Sequence, residues 1–448
     1  MHVKPLVAFW GAALAALALR AAPYEGADFR EIIATAKRQA QPAVLYVTCI
    51  TESTERGKLA SKSVSGSAFT ISADGEFVTN WHVVDKATSI RCLISDGRHF
   101  EADCIGADKS MDLALCKLRL KPGETVPFAA FGSSAEVEEG SFVIALGAPW
   151  GLNRSLTFGT VSCAKRYIDG HSEYVLWIQT DASIGPGNSG GPLVNTAGEV
   201  IGINALGTML GTANFGFAIP ADDARVILER LRANGKVNWS WSGIRLQPLH
   251  DFQRDMYFDA TNGVIVAGTD PDSPARAAGL LPSDRIVRLN GAPVTVLTDE
   301  DLPAVRRQFG LLPDADPITL EIVRAGAPAT VVIAPRAKGA VEGEEREFPR
   351  WDFSAKAINQ FENPDLFLRR QQGVFVFGLK RNGNASSQLE RDDIVLAVDG
   401  APIATLDDLS AEHKRALENI QTKHKALLTV LRNGRPRHVV IDFFKDNE

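Results

Sequence analysis

Between residues 43 and 220 the apolar segments are too short for helices and too closely spaced for strand–helix–strand units. They read AVLYVTCI, GSAFTIS, FVTNWHVV, SIRCLIS, SFVIALG, GTVSCA, YVLWIQT, EVIGINA and FGFAIP, separated by Gly, Asn, Asp and Ser. Many short strands with little helix between them restrict this region to an all-β barrel or sandwich. Helical spacing occurs on either side of it. Residues 27–40 (ADFREIIATAKRQA) repeat apolar positions every three or four and are stopped by Pro42. Residues 221–233 form a second such stretch, closed by Asn234-Gly235 as a C-cap.

Downstream the chain is duplicated. GVIVAGTDPDSPARAAGLLPSDRIVRLNGAPVTVLT (within 262–298) and GVFVFGLKRNGNASSQLERDDIVLAVDGAPIAT (373–405) share their order of features. Thr298 with Asp301, and Thr405 with Asp408, have the spacing of a helix capping box. Each unit ends in two β-like runs, so two copies of one small α+β domain are expected. A length of 448 residues fits this division. The expected organisation is a targeting segment (1–22), a β-rich domain (23–236), a first small module (237–336), a charged, flexible linker (337–349) and a second module (350–448). In the targeting segment Lys4 precedes an apolar run over 6–19, then Arg20 and small residues. This reads as a signal peptide or a retained N-terminal anchor, and hence a periplasmic or secreted protein with a membrane tether as the alternative.

The net charge of −6 is distributed without a basic block, which argues against a nucleic-acid partner. The five cysteines (Cys49, Cys92, Cys104, Cys116, Cys163) form no CxxC pair, so no zinc or other metal site is expected, and no cofactor. Buried free thiols are the ordinary outcome, with one structural disulfide as the alternative.

Chemistry concentrates in GPGNSGGPL at 185–193. A serine hydroxyl needs a base to become nucleophilic, and the oxyanion it creates needs fixed N–H donors. Glycines on both sides of Ser189 let the backbone turn its amides inward, making Gly187, Asn188 and Ser189 the candidate oxyanion loop. His82 in TNWHVV and Asp112 in MDLAL supply a base and an acid in the order His, Asp, Ser. Singly each has a bland reading, as a core histidine, a strand-end acid or a glycine turn. Together they point to a serine peptidase.

TNWHVV, DLALCKL, GAPWGL, IQTDASIGPGNSGGPLVNTAGEVIGIN and GFAIPAD resemble, in order, the segments of the HtrA (Deg) family of serine proteases. The resemblance implies a mostly β fold: a chymotrypsin-like double β-barrel followed by two PDZ domains. It also implies ATP-independent cleavage of unfolded envelope proteins, and a homotrimer or a multiple of trimers, with Phe29 and Tyr24 as candidate contacts. Gly185 stands where the family usually has Asn, which loosens the oxyanion loop. The loop over 51–64 is short compared with the long regulatory loop of some members.

In such a fold the substrate pocket would be walled by Ser183, Ile184, Ile203, Asn204, Ala205 and Phe215. Ser183 rather than an acid occupies the base, so cleavage after small or medium apolar residues is expected. In the first module Trp241, Ser242, Gly243 and Ile244 stand where a PDZ domain binds a C-terminal carboxylate, with an ordinary strand start as the alternative. In the second, Asp352 in WDFS would repel a carboxylate, which favours a packing or assembly role. His413 and His424 lie on a Lys-rich stretch that reads as a solvated face. The competing functional reading is a latent peptide-binding chaperone or scaffold with weak proteolysis.

Overall fold

The structure, a computed structural model, describes residues 28–55, 58–148, 155–185, 187–210, 213–253, 260–314 and 316–445. The expected targeting segment, Tyr24 and Pro186 lie outside the described residues. Helix α1 (Phe29–Ala40) starts at Asp28, whose side chain accepts from the Arg30 amide, and buries Ala36 and Ala40. A first closed barrel follows, with strand order β1-β2-β3-β6-β5-β4. Its strands are β1 (Val44–Glu55), β2 (Lys58–Thr70), β3 (Glu76–Thr79), β4 (Ala87–Ile94), β5 (His99–Asp108) and β6 (Leu113–Leu118). The run FVTNWHVV is not one strand. The chain leaves the sheet at Asn80, whose side-chain amide donates to the Asp112 carbonyl (3.0 Å), and Trp81–Val84 wind into a single helical turn, α2.

The second barrel closes in the order β10-β11-β12-β9-β8-β7. It is built from β7 (Phe142–Gly147), β8 (Ser155–Arg166), β9 (Trp177–Thr180), β10 (Pro192–Val194), β11 (Val200–Leu210) and β12 (Ala213–Pro220). Helix α3 (Ala221–Asn234) follows, capped by Gly235 in the left-handed conformation (φ 70°). Its Ile227, Leu228 and Leu231 join Phe69, Leu113, Leu146 and Trp177 in one core between the barrels. On the outside Phe29 packs edge-on against Phe142 and Phe158, which are tilted against each other, with Phe29 42% and Phe142 48% exposed.

The duplication is visible in the topology. The first module contains β13 (Ser240–Trp241), β14 (Ile244–Gln247), β15 (Val264–Thr269), β16 (Arg285–Leu289), β17 (Ala292–Pro293), β18 (Ile318–Arg324), β19 (Ala327–Ile333) and β20 (Arg336–Ala337). Its main sheet runs β14-β15-β16-β18-β19. Helices α4 (His250–Gln253), α5 (Pro274–Ala277) and α6 (Leu302–Gly310) belong to it. The second module contains β21 (Glu345–Phe348), β22 (Phe353–Ala357), β23 (Val374–Leu379), β24 (Ile394–Val398), β25 (Ala401–Pro402), β26 (Lys425–Arg432) and β27 (Arg435–Asp442). Helices α7 (Pro364–Arg369) and α8 (Leu406–Glu418) complete it, and its sheet runs β21-β22-β23-β24-β26-β27. Both capping boxes form, at Thr298–Asp301 and Thr405–Asp408.

Two expectations change here. The segment 337–349 is not a free linker: it begins in β20, ends in β21 and buries Phe348. Two of its acids are held by ion pairs, Glu342 to Lys109 and Glu344 to Arg346. His413 is not on a solvated face either. Its ring packs edge-on against Phe348 and Trp351, and its Nε2 donates to the Pro349 carbonyl (2.6 Å).

Candidate active site

His82 is presented by the helical turn α2, directly after β3, and Asp112 by the turn before β6. Asp112 holds a left-handed backbone conformation (φ 51°), and its amide is tied to the Lys109 carbonyl (3.2 Å). Its carboxylate accepts from His82 Nδ1 at 2.9 Å (Oδ2) and 3.0 Å (Oδ1), and from the His82 backbone amide at 3.1 Å. Such a carboxylate holds the Nδ1–H tautomer and leaves Nε2 as the basic nitrogen. The His82 side chain is 40% exposed and that of Asp112 only 19%, so the pair is screened from behind and open toward the cleft.

Ser189 enters from the second barrel, at the end of a tightly constrained loop. Gly187 has φ 99°, and the Asn188 amide donates to the Gly185 carbonyl (3.0 Å). Ser67 of the first barrel ties the loop down: its Oγ donates to the Gly187 carbonyl (2.6 Å) and its amide to the Ser189 carbonyl (2.8 Å). Among the described residues the amides of Gly187 and Ser189 have no backbone acceptor, the condition an oxyanion would need. Asn188 is buried, and its side-chain amide reaches toward the Ser183 carbonyl (3.5 Å). The Ser189 hydroxyl donates to the Ala205 carbonyl at 3.3 Å.

His82, Asp112 and Ser189 line one cavity of about 800 Å³. Of the expected pocket residues, Ala205 lines it. Ile203 is packed in the shared core. Asn204 is buried, with its side-chain amide directed at the Leu146 and Pro192 carbonyls. Ile184 fills the space beside Gly216, where a Cβ would meet it at 2.7 Å. Ser183 is exposed, its carbonyl taken by Thr157, and Phe215 packs against the core. In strands of alternating direction, motif proximity alone did not tell which side chains face the cleft.

The cavity also has walls that the motifs did not announce. Trp81, His171 and Trp177 come from the barrels, whereas Lys338, Val341, Phe361 and Glu362 come from beyond the first module. Trp81 directly precedes His82 and was within reach of sequence reasoning; the last four carry no local signal. Lys338, with a side chain 4% exposed, donates to Glu173 (2.8 Å) and to the Tyr174 hydroxyl (2.9 Å). Tyr174 stacks on Trp239 (4.2 Å), whose indole donates to Asp108 (2.6 Å). Burial pushes the Asp108 carboxyl above its usual range. Lys109 is displaced downward by burial, opposed by the charge of Glu362.

In the first module Gly243 holds φ 72°, and a Cβ there would fall 2.2 Å from Ser273. The Ser242 and Gly243 carbonyls accept from the Ala275 and Asp270 amides. Trp241 is buried under Arg336, and Ile244 opens strand β14. Among the described residues no His/Cys/Asp/Glu cluster suited to a metal is present, and all five cysteines are free thiols.

The chain matches the trypsin-like peptidase domain family over residues 66–203 and the PDZ domain family over residues 235–322. A probable periplasmic serine endoprotease DegP-like of Ectopseudomonas mendocina (strain ymp) is 34% identical over 383 residues, covering 83% of this chain and 78% of that protein. One of the same name from Chlamydia trachomatis serovar D is 31% identical over 387 residues, covering 85% and 74%. Among solved structures, the HtrA-type protease AlgW with tripeptide superposes with a TM-score of 0.60 at 30% identity, covering 68% of this chain and 97% of that one.

Proposed function

Because the chain belongs to the HtrA family of DegP-like serine endoproteases, we propose that it hydrolyses peptide bonds with Ser189 as nucleophile, His82 as general base and Asp112 as the residue that orients and charge-stabilises the histidine. The observation that carries this reading is the paired contact of Asp112 with His82 Nδ1, on the same cavity as Ser189. Attack by Ser189 on a carbonyl would pass its proton to His82 Nε2, and the oxyanion would be held by the Gly187 and Ser189 amides. The substrates are unfolded or misfolded proteins of the periplasm or secreted space, cleaved after small or medium apolar residues. Free C-termini are taken up at Trp241–Ile244 and added as a strand to β14. This last assignment is supported by AlgW having been solved with a tripeptide. The exposed Phe29 and Phe142, clustered with the half-buried Phe158, support assembly as a trimer or multiple of trimers.

Ser189→Ala should lower casein cleavage by about 10⁵-fold without changing the thermal midpoint, and a fluorophosphonate probe should label the wild type alone. Equal, negligible cleavage by two folded proteins would favour the chaperone reading. One observation speaks for a latent resting state: the Ser189 hydroxyl is directed at the Ala205 carbonyl. Labelling that rises when an apolar C-terminal peptide is added would assign that state to regulation by the first module.

A further inference from the structure

We propose that the second PDZ-like module carries its own ligand: residues 345–350 occupy in cis the groove that such a module offers to an extended peptide, and their release loosens a strap, 338–344, that closes one side of the catalytic cleft. The two copies of the module supply the comparison. Strands β14-β15-β16-β18-β19 of the first correspond in order to β22-β23-β24-β26-β27 of the second, so β22 is the equivalent of β14. Outside β22 lies β21, antiparallel, with Glu345 opposite Lys356 and Phe348 opposite Phe353. Among the described residues no strand covers the corresponding edge of β14. That edge is where a peptide is added to a PDZ sheet.

The contacts of β21 are those of a bound peptide. On its far side Arg346 donates to Asp407 (2.7 Å) and Ser410 (3.0 Å) of α8. His413 of the same helix donates to the Pro349 carbonyl (2.6 Å). Phe348, 1% exposed, is stacked on Phe353 (5.4 Å) and Trp351 (6.3 Å). A basic residue two positions before a buried aromatic is therefore the recognition element. The same segment continues into the cleft. The Gly343 amide donates to Glu362 (2.8 Å), Glu342 pairs with Lys109, and Val341 and Lys338 line the cavity of Ser189. Gly343 passes so close to β22 that a Cβ would fall 1.9 Å from the Ala357 carbonyl.

A strand tethered this closely has an effective concentration near about 1 mM, so a free peptide competes poorly until the tethered strand is weakened. The test uses the full chain carrying Ser189→Ala, alone and with Gly343→Val or Arg346→Glu. The probe is a fluorescein-labelled peptide of sequence GEEREFPR, amidated so that it offers no free carboxylate to the first module. In the Ser189→Ala protein, amides 345–348 should exchange at least about tenfold faster than 374–379, and the probe should show no saturable binding below about 100 μM. Either added substitution should speed exchange at 345–348 by a further tenfold or so, leave 374–379 unchanged and permit saturable binding. Exchange of 345–348 in step with 374–379 in all three proteins, binding to none, or equal binding to all overturns the proposal. So does loss of protection at 374–379 in both added variants, which would make β21 an integral part of the fold. The strap half rests on the protease reading. With Ser189 restored, both variants should cleave casein at least about threefold faster. Unchanged cleavage with intact probe binding overturns the strap alone, whereas no cleavage by any Ser189 protein overturns the protease reading.

Discussion

Gly190 holds φ 85°, and a Cβ there would fall 2.2 Å from the Ser67 carbonyl and 2.3 Å from Thr79 Oγ1. Gly190→Ala is therefore expected to destabilise the protease domain by about 2–4 kcal/mol, read as a lowered urea midpoint. Among the described residues Gly185 has no neighbour within 4 Å of its Cβ position. Gly185→Ala should stay within about 0.5 kcal/mol in the same assay. Thiol chemistry separates equally sharply. Burial pushes Cys49 up to about 12, and Cys92 and Cys116 are buried, while Cys104 is exposed. Cys104 should react first with a thiol reagent in the native protein, and Cys49, Cys92 and Cys116 only on unfolding. At this scale the meeting of His82, Asp112 and Ser189 on one cavity was legible, because each stands in a characteristic sequence setting. The facing of Ile203, Asn204 and Ile184 was not, because it depends on how strands of the second barrel turn relative to the cleft.

Helix α8 shows what an element reveals and conceals. Its start was legible in Thr405 and Asp408, and both halves of the capping box form. Its packing was not: His413 sits among Lys, Arg and Glu in sequence, and only the arrival of Phe348 and Trp351 buries it. Burial holds this imidazole below its ordinary 6.5, partly offset by the bond to Pro349. The unfolded chain then takes up the proton first. The stability of the second module should be whole above about pH 6.5 and decline as pH falls below it. Trp351 fluorescence melts at pH 7.5 and 5.5 would show the decline, and His413→Phe should flatten it.

Across the molecule, an all-β region followed by two repeated modules was legible from strand spacing and duplication, whereas the double barrel was implied only by the family resemblance. The docking between them was not, since it joins residues far apart in sequence, as Lys338 does with Glu173 and Tyr174. Lys338 also lies over the rings of Tyr174 (4.7 Å) and Phe361 (5.2 Å). Lys338→Glu would set like charges together in a buried place. It should make the segment after Ala337 more sensitive to added protease while leaving the melting of the protease domain in place. Unaltered sensitivity would mean that the docking is held elsewhere.

Residues after the first module supply part of the rim of the cavity that Ser189 lines. Ending the polypeptide at Ala337 would leave the reactive groups intact but turn a bounded slot into an open trough. The full protein should then prefer thin, extended stretches, and the shortened one should accept bulkier segments at comparable rates. Tail length would act as a dial on selectivity, without any change to the chemistry it surrounds.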